Sequence, residues 1–298
     1  MTSGLVLNLR GRTLDCTPGR SAGAHVAGIL NVTPDSFYDG GRFTDHGVAM
    51  RRAEQILLEG AVMIDVGGAS SRPRGRTYGK GAEAVPPDEE WRRISAIVEG
   101  IVRELPKAIL SVDTFHADVA ARALDAGAHV INDITALRVS PSIANLVADA
   151  GAGLILMHSV GVPGDMPQQR AYADVVTEVR DELDLAVNAA RQAGVESIVV
   201  DPGFGFGKTV RDNLRLIAEA DRFASTGVPV MIGVSRKSSI GAVLGDDAPA
   251  PPSDRLFGSL GATAAGVVNG ATLVRTHDVR ETVEMLKLLG ETLATRVS

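Results

Sequence analysis

The segment DAGAHVINDI, Asp125–Ile134, holds in ten residues the tail of a helix-like stretch, a glycine, a short apolar run and a polar end. The same order recurs in EGAVMIDVGG (Glu59–Gly68), DAGAGLILMH (Asp149–His158), QAGVESIVVDPG (Gln192–Gly203), STGVPVMIGVS (Ser225–Ser235) and NGATLVRTHD (Asn269–Asp278). Each glycine (Gly60, Gly127, Gly151, Gly194, Gly227, Gly270) suits the left-handed position that ends a helix. Each apolar run then reads as a strand buried on both faces, as in a parallel sheet. HVAGILNV from His25 and AILSVD from Ala108 add two strands without the glycine. Eight β-α units over Val26–Ser298, with helices over stretches such as Ala171–Gln192 and Val279–Leu293, predict an α/β protein: a single (β/α)8 (TIM) barrel domain spanning residues 1–298. A doubly wound open sheet is the alternative. The count of eight, and the lack of G-x-G-x-x-G after the first strand, favour the barrel. Gly4–Cys16, with Arg10-Gly11-Arg12 at its centre, reads as an N-terminal β-hairpin closing the barrel bottom. Arg72–Asp88 and Asp246–Ser253 read as loops.

The chain has 298 residues, 45% of them hydrophobic, with 30 basic and 36 acidic side chains and a formal charge of −6. No Lys/Arg-rich block or basic tail occurs, so nucleic acid is not an expected partner. A small anion is compatible with this balance, because a few local cations can hold one. A single Cys16 excludes an intrachain disulfide and a thiolate metal cluster. The N-terminal residues show no apolar signal-type core, and no apolar run approaches the roughly 18 residues of a membrane span. The expectation is a soluble, cytoplasmic protein with no membrane partner.

In a barrel of this kind the C-terminal strand ends carry the chemistry. Here they offer Asn31, Asp65, Asp113, Asn132 with Asp133, His158, Asp201, Ser235-Arg236-Lys237, and Arg275 with His277. Asp65, Asp133 and His158 read as helix caps or satisfied strand-end groups. Asp113, Asn132 and Asp201 can accept hydrogen bonds from a ring with several N–H donors, and Lys237 converges with them. Arg72, Arg275 and His277 can hold an anion. Arg275 and His277 share a side if the strand continues through both. Ser238 and Ser239 open a helix whose free N–H groups suit an anionic group. The implied substrate has an aminated heterocycle at one end and a phosphate-like group at the other. DPGFGFGKT (Asp201–Thr209) imitates the ending of a phosphate loop, but Pro202 and Asp201 are wrong for one, and its glycines alternate. Lys208 reads equally as an exposed charge at a helix start or as a ligand contact.

Several long motifs make a family visible. They are GILNVTPDSFYDGG (Gly28–Gly41), DVGG-x-SSRP (Asp65–Pro73), SVDT (Ser111–Thr114), IND (Ile131–Asp133), LMH (Leu156–His158), DPGFGFGK (Asp201–Lys208), GVSRKS (Gly233–Ser238) and VRTHDV (Val274–Val279). From Gly28 onward the chain resembles the dihydropteroate synthases. The resemblance implies condensation of 6-hydroxymethyl-7,8-dihydropterin diphosphate with 4-aminobenzoate, giving dihydropteroate and diphosphate in folate biosynthesis. It implies a pterin site of Asp113, Asn132, Met157, Asp201, Phe206, Gly233 and Lys237. It implies a diphosphate and aminobenzoate site of Asn31, Phe37, Ser71, Arg72, Pro73, Ser238, Arg275 and His277. Asp35 is implied as the carboxylate that stabilises a methylene cation, beside Lys237, Arg275 and His277 in catalysis. Mg²⁺ on Asn31 and a homodimer are implied as well. A pterin-binding paralogue without this activity, or a methyltransferase-type barrel, is the alternative.

The chain departs from the family after the second strand, reading GGASSRPR where G-G-E-S-T-R-P-G is usual. Ala69 removes a carboxylate, Ser71 keeps a hydroxyl, and Arg74 replaces a glycine. Gly75–Ala84 looks longer than usual, and Thr276 stands where an apolar residue is common. These changes surround the aminobenzoate side, so the expectation is a loop less well ordered without ligand.

Overall fold

The protein is described as a computed structural model over residues 5–17, 24–32, 44–69, 85–162, 169–225 and 227–295. Two antiparallel strands come first, β1 (Val6–Leu9) and β2 (Arg12–Asp15). The two residues between them, Arg10 and Gly11, have φ of 51° and 83°. Two consecutive positive φ values are the signature of the tight hairpin turn whose twist matches its strands.

The chain then alternates. β3 (His25–Asn31), α1 (Thr44–Leu58), β4 (Met63–Gly67), α2 (Pro87–Glu104), β5 (Ile109–Asp113), α3 (Ala117–Asp125), β6 (Val130–Asp133) and α4 (Ile143–Asp149) form the first half. β7 (Gly153–Met157), α5 (Val175–Gln192), β8 (Ser197–Asp201), α6 (Val210–Ala218), β9 (Met231–Ile232), α7 (Ser238–Leu244), α8 (Leu256–Val268), β10 (Leu273–Thr276) and α9 (Val279–Ala294) form the second. The eight-stranded sheet runs β8-β7-β6-β5-β4-β3-β10-β9, all pairs parallel. Val200 bridges Val230 in parallel, and its N–H donates to Pro229 O at 3.0 Å, bringing the two ends of the sheet together. The barrel expectation therefore holds and the open sheet does not.

Five of the six recurring glycines close an α-helix as their positions suggested, while Gly227 follows a short 3-10 turn. After α3, Gly127 N–H donates to Leu124 O and Ala128 N–H to Ala123 O. That pair of bonds is the Schellman motif, which satisfies carbonyls a helix end leaves free. The same pair closes α1, α4, α5 and α8 at Gly60, Gly151, Gly194 and Gly270. Each stop turns the chain directly into the next strand, which explains the regularity of the repeat.

The apolar residues sort into two cores. One lies between the sheet and its helices. The other fills the barrel bottom with Ala27, Met63, Ile109, Val130, Ile155, Val199, Met231 and Leu273, one from each strand. Leu7, Leu9, Leu14 and Cys16 of the hairpin plug this layer from below. Burial and the neighbouring Asp15 push the Cys16 thiol up to about 12, so it stays a neutral packing group.

Candidate active site

Side chains on one face of a strand recur every second residue. Two residues beyond the bottom layer, the next inward layer is therefore Ile29, Asp65, Ser111, Asn132, Met157, Asp201, Gly233 and Arg275. Five of these eight are polar or charged, and they make the floor of the barrel mouth.

Arg275 organises this floor. Its Nε donates to Asp65 Oδ2 at 2.6 Å and its Nη2 to Asp113 Oδ2 at 2.9 Å. Asn132 Nδ2 donates to the same Asp65 oxygen at 3.1 Å. The remaining atoms, Asp65 Oδ1, Asn132 Oδ1 and Ser111 Oγ, are buried without a hydrogen-bond partner among the described residues. Each such atom costs about 1–3 kcal/mol. Native structures rarely leave several together. A donor-rich ligand would satisfy them.

Two further carboxylates face the same space. Burial pushes the Asp113 carboxyl up to about 7, with Arg275 opposing and Asp65 adding to the shift. Burial also raises Asp201, against Lys237 and the Gly203 N–H that donates to its Oδ1 at 2.7 Å. A Cβ placed on Gly233 would stand 3.7 Å from both Asp201 Oδ2 and Arg275 Cβ. Gly233 thus gives these two groups a shared open face. Burial lowers the Lys237 ammonium to about 8, with Asp201 resisting. Lys237 Nζ donates to Phe204 O and lies 4.4 Å from the centroid of the Phe206 ring. Phe206, Met157 and Ile134 form an apolar cluster with Phe115 against it. Acceptors below, one cation at the side and an aromatic wall suit a flat, aminated ring.

The DPGFGFGKT loop explains its own glycines. Gly203 has φ +71°, and a Cβ on it would lie 1.7 Å from His158 O. No other residue fits where the loop passes this close to the end of β7. The loop backbone and Phe206 make a wall of the mouth.

At the outer rim, Asn31 Oδ1 and Asp113 Oδ2 both lie 3.8 Å from the point where a Gly67 Cβ would be. α7 begins at Ser238, as the sequence suggested. His277 is exposed on the rim, and its Nδ1 is 3.1 Å from Ser235 Oγ. β10 ends at Thr276, so strand alternation does not extend to His277, and it does not share a side with Arg275 on that account.

Some residues differ from what the sequence suggested. Asp65, taken as a satisfied strand-end group, lies at the centre of the charged floor. Lys208 is not exposed: it is 5% exposed and its Nζ donates to main-chain carbonyls. His158 and Asp133 are the satisfied polar groups expected. Asp133 accepts from the N–H groups of Thr135 and Leu137, at 2.8 and 2.7 Å. Arg236 does not face the ligand space: with φ of 52°, it is clamped by Asp278 and by Pro252 O. Ala69 follows the end of β4, and the adjacent Gly68 O accepts from Arg93 Nη1 at 3.1 Å. Asp35, Phe37, Ser71, Arg72, Pro73, Arg74 and Gly75–Ala84 lie outside the described residues. Among the described residues no group of three or more His, Cys, Asp and Glu side chains could hold a metal ion.

The family model "Pterin binding enzyme" matches residues 27–277. The chain is 39% identical over 274 residues to the dihydropteroate synthase of Escherichia coli, covering 91% of this chain and 93% of that one. It is 43% identical over 263 residues, 88% of its length, to a probable bifunctional folylpolyglutamate synthase/dihydropteroate synthase of Haloferax volcanii. The chain spans only 30% of that longer protein. The dihydropteroate synthase of Xanthomonas albilineans, solved with 4-aminobenzoic acid, superimposes with a TM-score of 0.85 at 40% identity, covering 98% of this chain and 99% of that one.

Proposed function

The chain belongs to the pterin-binding enzyme family and acts as a dihydropteroate synthase, and we propose that it does so with a divided site. The observation that carries this division is the charged floor with its unpartnered acceptors. Asp201, Asp113 and Asn132 accept N–H groups from the amino-pyrimidine edge of the pterin. Lys237 donates to its carbonyl side, and Phe206 and Met157 pack against the ring. A charged hydrogen bond of this kind contributes roughly 1.5–3 kcal/mol.

The diphosphate is directed toward the rim, where Asn31, His277 and the start of α7 at Ser238 lie. The bond from the pterin methylene carbon to the diphosphate oxygen breaks, and the 4-aminobenzoate nitrogen forms the new C–N bond. The nitrogen then gives up a proton to solvent or to the departing diphosphate. Asp35 is the carboxylate proposed to face the methylene cation. Ser71, Arg72, Pro73 and Phe37 are proposed to close the aminobenzoate pocket. Arg275 both orders Asp65 and Asp113 and places a positive charge below the leaving group.

Mg²⁺ fits this arrangement in one form. It takes hard oxygen ligands and usually shares them between a few protein groups and substrate phosphates. Asn31 offers one neutral oxygen, so the ion would be held by Asn31 together with the diphosphate. Bound there, it would spread the charge of the leaving group.

The protein is further proposed to be a cytoplasmic homodimer. No helix of the described residues is long and apolar enough to cross a membrane. α8 exposes an apolar face, on which Phe257 and Val268 are 82% and 50% exposed, with Gly261 and Ala265 between them. A second copy would cover that face.

Calorimetry tests the divided site. Asp201→Ala should abolish binding of a pterin lacking diphosphate while the fold is retained. His277→Ala should weaken the pterin diphosphate about tenfold and leave the bare pterin unchanged. Unchanged pterin affinity in folded Asp201→Ala, or equal losses for both ligands with His277→Ala, would contradict the division.

A further inference from the structure

The last charged residue of the DPGFGFGKT loop has a place that ligand binding does not explain. Lys208 is buried against the loop backbone. Its Nζ donates to Gly203 O at 2.9 Å, to Phe206 O at 3.2 Å and to His158 Nδ1 at 3.0 Å. Its Nζ is also 3.4 Å from His158 O, so the three N–H bonds of one ammonium are shared among four acceptors. Two of those acceptors are main-chain carbonyls of the loop itself. The other two belong to His158 and anchor the loop to the residue after β7.

The anchor is fixed in turn. His158 Nε2 lies 3.1 Å from Glu182 Oε2 on α5. A carboxylate accepts only, so Nε2 carries the proton and Nδ1 is left as the acceptor that Lys208 needs. Arg170 Nη1 donates to Glu182 Oε1 at 2.6 Å, and Arg170 N–H donates to Gly207 O at 2.9 Å. The chain of contacts therefore leaves the loop through Lys208 and returns to it through Arg170. Burial holds His158 near 4 and the Lys208 ammonium near 7, where Asp201 and Glu182 support its charge and Lys237 and Arg170 oppose it.

The same loop touches the ligand space. Asp201 precedes Gly203, Phe206 walls the mouth, and Phe204 O accepts from Lys237. We propose that Lys208 is a positioning residue: by tying Gly203 and Phe206 to His158, it sets Asp201, Phe206 and Lys237 in the geometry that binds the pterin. This rests on the assignment of the mouth as the pterin site. Lys208 touches no substrate, and its effect runs through the loop backbone.

The test uses the full chain. Lys208→Met keeps length and removes every donor. Its dissociation constant for 6-hydroxymethyl-pterin should rise about tenfold or more. Amide exchange at Gly203–Gly207 should quicken, and the KM for aminobenzoate should change less than twofold. Lys208→Arg, which keeps donors and charge, should recover part of the pterin affinity. If Lys208→Met does not fold, His158→Leu, which removes the Nδ1 acceptor and the Nε2 donor to Glu182 but keeps the main-chain carbonyl, should give a pterin-selective loss in the same direction. A folded variant that melts earlier but binds pterin as the parent does would overturn the proposal. Equal losses for pterin and aminobenzoate would overturn it too. If the parent itself binds no pterin, the assignment of the site fails instead.

Discussion

At the scale of single residues, the site depends on opposed charges sharing a dry space. Asp113 accepts an N–H group most strongly when ionised, and burial has moved its carboxyl up to about 7. Lys237 donates most strongly when protonated, and burial has brought it down to about 8. Pterin affinity should therefore rise as Asp113 ionises toward pH 7 and fall as Lys208, near 7, and Lys237, near 8, lose their protons. Arg275 holds the Asp113 pKa down, so Arg275→Ala should move the rising limb to higher pH. His277→Ala, which removes no partner of Asp113, should leave that limb in place. Fluorescence titration of a pterin at stepped pH measures both limbs. An unmoved or downward-moved limb in Arg275→Ala would show that Asp113 is not the titrating acceptor.

At the scale of elements, the loop after β8 ends in a well-defined helix start. Thr209 Oγ1 accepts from Asp212 N–H at 3.1 Å, and Asp212 Oδ2 accepts from Thr209 N–H at 3.1 Å. This reciprocal cap satisfies two donors at the head of α6. Thr209→Ala should cost about 1 kcal/mol of stability, read as a lower denaturant midpoint with an unchanged slope. Elements of this kind were the most legible part of the sequence. A helix end, its glycine and an apolar run are local, and five such ends close with the same pair of hydrogen bonds. The hairpin was legible from Arg10-Gly11 for the same reason. Asp65 was not legible, because a strand-end carboxylate that caps and one that faces a ligand look alike in sequence. Only the two-residue step from Met63, fixed by sheet register, puts it inside the barrel. Lys208 was missed because its burial depends on His158, 50 residues away. The pairing of Arg275 with His277 assumed a strand one residue longer than β10.

At the scale of the whole molecule, the barrel separates stability from chemistry. The lower layer is apolar and plugged by the hairpin, while the layer above it holds the charges. The outer face of α8 belongs to neither. Phe257→Glu should convert the proposed dimer to a monomer in sedimentation velocity, with pterin affinity per chain retained. A parent that sediments as a monomer at micromolar concentration would contradict the dimer. The altered stretch that begins at Ala69 includes the residues proposed to close the aminobenzoate pocket, so the central claim is most exposed at turnover. Purified protein should form 7,8-dihydropteroate from the pterin diphosphate and 4-aminobenzoate. One diphosphate should be released per product, and none when 4-aminobenzoate is withheld. Tight pterin binding with no product from both substrates would contradict the claim and identify a pterin-binding relative without the condensation.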